Sequence, residues 1–123
     1  PWIDGHELAK RLNARKIPGV VFREQWFTPL FSKFKEELCG GCQIHVLDRT
    51  VYRPLTAALT AIAAVREMYP DKFQFHETYF DKIMGTSKVR EAMIRGVAVE
   101  DIVRGFESGL AEFEAKRKPY LLY

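Results

Sequence analysis

The stretch Phe27-Thr-Pro-Leu-Phe-Ser-Lys-Phe-Lys-Glu-Glu-Leu-Cys-Gly-Gly-Cys-Gln-Ile-His-Val-Leu-Asp48 decides how this chain is read. It opens at the end of a β-branched and aromatic run, crosses a segment dense in charge, Gly and Cys, and closes in a clean alternation. Cys42, Ile44 and Val46 fall on one face of that second strand, and Gln43, His45 and Leu47 on the other, which is the period-two pattern of a half-buried strand. Asp48-Arg49-Thr50 then turns the chain. Phe31 to Gly41 reads as a loop, with one helical turn expected around 32–38. Loops held between regular elements are where scaffolds present functional groups, so this stretch is expected to be the working edge.

Upstream of it, Asp4 and Glu7 have the Asp-x-x-Glu spacing of a capping box. Leu8 and Leu12 follow at helical spacing, predicting a first helix to about Arg15 that Pro18-Gly19 breaks. Val20 to Phe27 then predicts a strand, with Val20, Phe22 and Trp26 on one face and a mixed face of Val21, Arg23, Gln25 and Phe27. Pro29 ends it or places it at an edge.

Downstream, Pro54 suits a first helical turn, where its missing N–H costs little. Leu55, Leu59, Ile62, Val65 and Tyr69 follow as a stripe backed by alanines and closed by Pro70. A short strand is expected over 72–77, then a helical turn over 79–84 stopped by Gly85. Thr86 is expected to cap a helix to Arg95, closed by Gly96. Val99, Ile102, Val103, Phe106, Leu110 and Phe113 predict one long final helix, weakened at Gly105 and Gly109. Pro119 ends it, and 120–123 is apolar enough for a docked terminal strand. The pattern gives an α+β (irregular α/β) fold, a small mixed or antiparallel sheet covered by helices.

At 123 residues, 47% hydrophobic and 28% charged, the chain has an ordinary globular balance and the size of a single domain. Such a length buries roughly two-thirds of its unfolded surface and needs neither a disulfide nor a metal to hold a core. No apolar run approaches the ~20 residues of a membrane span. The net charge of +3 is modest. Its densest basic run, Lys116-Arg117-Lys118, reads as a solvated helix terminus and not as a nucleic-acid patch, since aromatic interleaving and a recognition motif are missing. Because the chain starts at Pro1, it is expected to be a processed product or an excised fragment of a longer protein.

Cys39-Gly40-Gly41-Cys42 invites a redox or metal reading. A redox pair wants its first Cys at a helix N-terminus, whereas an extended pattern follows here. A zinc site needs further ligands at metal spacing, and His6, His45 and His76 are scattered. The preferred reading is structural, with the glycines permitting a tight turn or bulge into the strand. Gln43 and His45 share a strand face beside Asp48 and Arg49, which suggests a polar cleft; His45 is a candidate general acid or base because its ordinary pKa lies near neutrality. Ser32-Lys33 lacks the context of a nucleophile pair. Glu36-Glu37 reads as a solvated charge run, since working glycosidase carboxyls face each other across a cleft. No phosphate loop occurs, and no cofactor is expected.

Taken together, Pro1-Trp2-Ile3-Asp4-Gly5, Leu12-Asn13, Pro18-Gly19-Val20, Phe27-Thr28-Pro29 with Phe31-Ser32-Lys33, Cys39-Gly40-Gly41 with Gln43-Ile44-His45-Val46 and Asp48, Arg53-Pro54, Phe80-Asp81, Gly85-Thr86 and the terminal 117–123 resemble the C-terminal domain of the bacterial exo-β-N-acetylmuramidase family. The resemblance covers nearly the whole chain. Phe106 stands where the family would have Trp and Cys42 where it often has Val, both read as packing variations. It implies a cell-wall enzyme that removes N-acetylmuramic acid from the non-reducing end of peptidoglycan fragments, outside the cytoplasm. It further implies a Rossmann-like N-terminal domain carrying the catalytic Glu, with the active site in a cleft between the two domains. Partners are then peptidoglycan-derived saccharides and the upstream catalytic domain. No catalytic residue is expected in this chain; Phe31, Ser32, Lys33, Gln43, His45 and Arg49 are the candidates for lining the cleft. The alternative is a self-sufficient module that binds a wall glycan or a protein.

Overall fold

The computed structural model describes residues 1–121, apart from the side chain of Ser108. They form an α+β fold in two compact units, 1–74 and 75–121. In the first unit α1 (Gly5–Ala14) precedes a two-stranded antiparallel ribbon of β1 (Val20–Phe27) and β2 (Cys39–Val46), and α2 (Pro54–Met68) follows. In the second, α3 (Glu77–Met84), α4 (Lys88–Ile94), α5 (Val99–Arg104) and α6 (Glu107–Arg117) lead to a 3-10 turn at Lys118–Tyr120.

Helix α1 starts where the sequence places it. The Asp4 carboxylate accepts a hydrogen bond from the Glu7 backbone N–H at 2.9 Å, satisfying one of the orphan donors of the first turn. Only half of the capping box forms, because the Asp4 N–H donates instead to the Tyr69 hydroxyl at 2.8 Å and Glu7 pairs with Arg11. Leu8, Ala9 and Leu12 are buried and form the core with Phe22, Ala57 and Ala64. Helix α2 meets this cluster through Ala57 and Ala64, with Val65 and Met68 packed against it. Of the expected stripe, Leu59 is fully buried, Ile62, Val65 and Tyr69 are partly buried, and Leu55 is exposed.

The ribbon pairs Val20 with Val46, Phe22 with Ile44, Glu24 with Cys42 and Phe27 with Cys39. Paired residues share a face, so the core side carries Val20, Phe22 and Cys42 against α1. Strand β2 begins at Cys39, three residues earlier than the alternation beginning at Cys42 suggests. Gly40 and Gly41 lie inside it and make no turn; they are there because the N-terminal segment and the start of α1 press onto it. A Cβ on Gly40 would collide with the Ile3 carbonyl oxygen and touch the Trp26 ring, and one on Gly5 would lie 2.6 Å from the Gly41 carbonyl oxygen.

The free edge of β1 is closed by a side chain. Asn13 donates to the Phe22 carbonyl at 2.7 Å and accepts from the Phe22 N–H at 2.8 Å, standing in for a third strand at one residue. The chain enters β1 through Gly19 at φ +73°, whose carbonyl accepts from Leu47 and Asp48 and so closes the base of the ribbon.

Several expectations fail for physical reasons. Residues 28–38 form no helical turn: Ser32, Phe34 and Glu36 have positive φ, which interrupts any helical run. Residues 72–76 form no strand; 72–73 continue the turn after α2, with the Lys72 and Phe73 N–H groups bonded back to Tyr69, and α3 already begins at Glu77. The long final helix is two helices, split where Gly105 and Phe106 leave the α5 register. Tyr120 lies in the 3-10 turn and not in a terminal strand, and Leu122 and Tyr123 fall outside the described residues. Gly85 and Gly96, at φ +70° and +76°, end α3 and α4 as the sequence indicates. Within this unit Arg90 of α4 grips Asp81 of α3 through two hydrogen bonds of 2.9 and 2.7 Å.

Candidate functional site

The ribbon has a second face, opposite α1. Val21, Arg23, Gln25 and Phe27 of β1 lie there beside His45, Gln43, Gly41 and Cys39 of β2. Arg23 donates from Nη2 to the Gln43 amide oxygen at 3.2 Å, a cross-strand pair on the solvent side. The sequence places Arg23 on the mixed face of β1, but only the register brings it opposite Gln43. The neighbouring His45 is half-buried, and its Nε2 is shielded from solvent without a hydrogen-bond partner. Arg23 and Gln43 place a guanidinium and an amide side by side on this face, groups suited to a hydroxyl-rich or anionic ligand, whereas the shielded His45 Nε2 is not open to one.

The six candidate residues divide between the two ends of the ribbon. Phe31, Ser32 and Lys33 sit in the tip loop, beyond the Phe27–Cys39 pair. Gln43 and His45 lie four and six residues along β2 from that pair, about 13 and 20 Å at strand rise. Arg49 follows β2 at the base, in the turn where Asp48 accepts from the Thr50 N–H and hydroxyl at 2.8 and 2.6 Å. Those bonds hold the Asp48 carboxyl below the usual carboxylate range. At the tip, Ser32 has φ +69° and Phe31 is 80% exposed. Lys33 and its flanking residues are exposed as well.

The cysteines do not form a reactive pair. Cys39 and Cys42 are both free thiols, three residues apart on one extended strand. That spacing puts their side chains on opposite faces and their Cα atoms roughly 10 Å apart, beyond the reach of a disulfide. Burial pushes the Cys42 thiol upward, the opposite of an activated nucleophile. Cys39 is buried and donates weakly to the Glu37 carbonyl. Among the described residues no group of His, Cys, Asp and Glu could hold a metal ion. Glu36 pairs with its neighbour Lys35 at 3.3 Å on the open surface, as a solvated charge run should.

Comparison with known proteins gives these features a setting. The model of the family described as exo-β-N-acetylmuramidase NamZ, C-terminal, matches residues 1–123. The chain belongs to this family. It is 39% identical over 124 residues to the peptidoglycan β-N-acetylmuramidase NamZ of Bacillus subtilis, covering all of this chain and 30% of that protein. In structure it matches the crystal structure of a DUF1343 family protein from Bacteroides fragilis, with a TM-score of 0.86 and 29% identity over 99% of this chain and 33% of that one. The chain thus spans about a third of the length of these relatives. No helix among the described residues is long and apolar enough to cross a membrane.

Proposed function

We propose that this chain is the C-terminal accessory domain of a larger two-domain exo-β-N-acetylmuramidase, and that residues 1–123 contribute one wall of its substrate cleft. The observation that carries the reading is the match of the entire chain to the C-terminal third of a peptidoglycan β-N-acetylmuramidase. The substrate is then the non-reducing-end N-acetylmuramic acid of peptidoglycan fragments, met outside the cytoplasm, and the catalytic carboxylate belongs to the upstream domain.

The two ends of the ribbon cannot serve a single sugar ring, so the tip takes the sugar. Phe31 offers an apolar face for the pyranose, Ser32 a hydroxyl, and Lys33 a charge-assisted bond to the lactyl carboxylate that distinguishes N-acetylmuramic acid. Arg23 and Gln43 then meet a more distant part of the glycan. The experiment compares this chain with the protein that includes the upstream domain, on an N-acetylmuramic acid–N-acetylglucosamine disaccharide. Turnover is expected only with both parts; hydrolysis by this chain alone overturns the non-catalytic assignment. Muropeptide affinity undiminished in this chain alone favours an independent binding module instead.

A further inference from the structure

The second unit leaves two apolar surfaces uncovered, and they are complementary. The first is the stripe on α6, where every described side chain is exposed. Phe106, Leu110 and Phe113 follow at helical spacing from its N-cap, with Leu110 56% and Phe113 57% exposed. A helix of this length is marginal in water, and most helical stability comes from packing an apolar face.

The second is a groove of about 350 Å³ between α4 and α5. Val89, Ala92, Val97, Ile102 and Phe106 give it an apolar lining. An apolar cavity of about 150 Å³ already holds a benzene ring, so this groove has room for large side chains. Lys88 and Arg95 of the α4 segment stand on its rim, exposed and without an ion pair among the described residues. Their spacing is two helical turns, which puts both cations along one lip about 10 Å long. Glu91 and Asp101 also border the groove, but Asp101 is engaged by Arg104 at 2.8 Å.

The α6 stripe carries the opposite charges at the same spacing. Glu107 and Glu114 are two turns apart, exposed, and without an ion pair among the described residues. Both flank the Leu110–Phe113 stripe on the same side. Yet α6 does not fill the groove of its own chain. Gly105 and Phe106, which join α5 to α6, both keep right-handed helical dihedrals, so the chain does not reverse there. Phe106 belongs to the groove and to the stripe, so the two surfaces are contiguous on each copy. In a two-fold pair each copy then gives one helix and receives one, the self-complementary arrangement of an isologous dimer.

We propose that the chain pairs with a second copy by exchange of α6. Leu110 and Phe113 sit in the partner's α4–α5 groove, and Glu107 and Glu114 face the partner's Lys88 and the partner's Arg95. The pairing is independent of the substrate-cleft reading, since none of these residues lies on the ribbon.

The test is sedimentation velocity of the protein with its upstream domain across a dilution series, where a reversible dimer is expected. Lys88→Glu with Arg95→Glu reverses the groove, and Glu107→Lys with Glu114→Lys reverses the helix. Either double variant is expected to raise the dimer dissociation constant by about a hundred-fold, because like charges then face each other at both contacts. An equimolar mixture of the two variants is expected to dimerise about as tightly as the parent, since each helix then meets a groove of opposite charge. That rescue separates a charge effect from a folding defect, which mixing does not repair. A parent that stays monomeric overturns the proposal and leaves the stripe to an upstream segment or another protein. A dimer unaffected by either reversal overturns it too, by placing the interface elsewhere, and so do variants that stay monomeric when mixed.

Discussion

At the scale of single residues, two glycines illustrate how the same substitution takes opposite signs. Gly40 sits inside β2, where Ile3 and the start of α1 cross it at backbone distance. An added methyl group meets the Ile3 carbonyl and Gly5 N, main-chain atoms that cannot swing aside, and the Trp26 ring at 3.0 Å. Gly40→Ala is expected to destabilise by about 3 kcal/mol, the upper range for overpacking a filled site. Gly109 lies within α6 with nothing within 4 Å of its would-be Cβ. There Gly109→Ala is expected to stabilise by about 0.5–1 kcal/mol, from helix propensity and a less entropic unfolded chain. Urea denaturation of both variants checks the pair; a Gly40→Ala midpoint equal to the parent's contradicts the close approach. Asn13 shows the same dependence on partners. Its amide satisfies both backbone groups of Phe22, a role visible only once the free edge of β1 is known.

At the scale of elements, α1, β1 and α2 were legible because each follows one period and has a chemical start: Asp4, the run after Gly19, and Pro54. The start of β2 was not. Glycines mark a turn in the common case, and only a helix N-terminus brought from elsewhere explains Gly40-Gly41 within a strand. The long C-terminal stripe from Val99 to Phe113 has an unbroken apolar spacing, yet the backbone splits at Gly105, and Leu110 and Phe113 stay exposed. Spacing reports which side chains share a face; it does not report whether anything covers that face. The α3–α4 pairing was likewise hidden, since Asp81 and Arg90 are nine positions apart and meet only after Gly85 reverses the chain. Their two hydrogen bonds hold the Asp81 carboxyl below its ordinary pKa of 3.8 and raise that of Arg90. A carboxyl depressed by folding stabilises above its unfolded pKa and ceases to do so as pH falls through the depressed folded value. Asp81→Asn is therefore expected to lower Tm at neutral pH, with the gap to the parent closing in acid, once pH has fallen through the depressed value and the parent's own Asp81 takes up its proton. Circular-dichroism melts at both pH values decide it, and a gap that stays constant with pH removes the ion pair as its cause.

At the scale of the whole molecule, the candidate site was legible as residues but not as an arrangement. Sequence proximity joins Phe31-Ser32-Lys33 to Gln43, His45 and Arg49, whereas the antiparallel register puts the first three beyond one end of an eight-residue strand pair and Arg49 beyond the other. Eight residues of strand span about 26 Å, several times the width of a sugar ring, so Lys33 and Arg49 cannot share one lactyl carboxylate. Lys33→Met in the protein with its upstream domain is accordingly expected to raise KM for a disaccharide ending in N-acetylmuramic acid by about ten-fold or more, the loss of one charge-assisted hydrogen bond. Arg49→Met is expected to leave KM for that disaccharide within about two-fold, as for removal of a solvated charge away from the bound ring. Steady-state kinetics should also show the Lys33→Met penalty shrinking on an analogue that lacks the lactyl group, because the substituted charge then has no partner to lose. If instead Arg49→Met carries the larger penalty and Lys33→Met none, the sugar sits at the base of the ribbon and not at its tip.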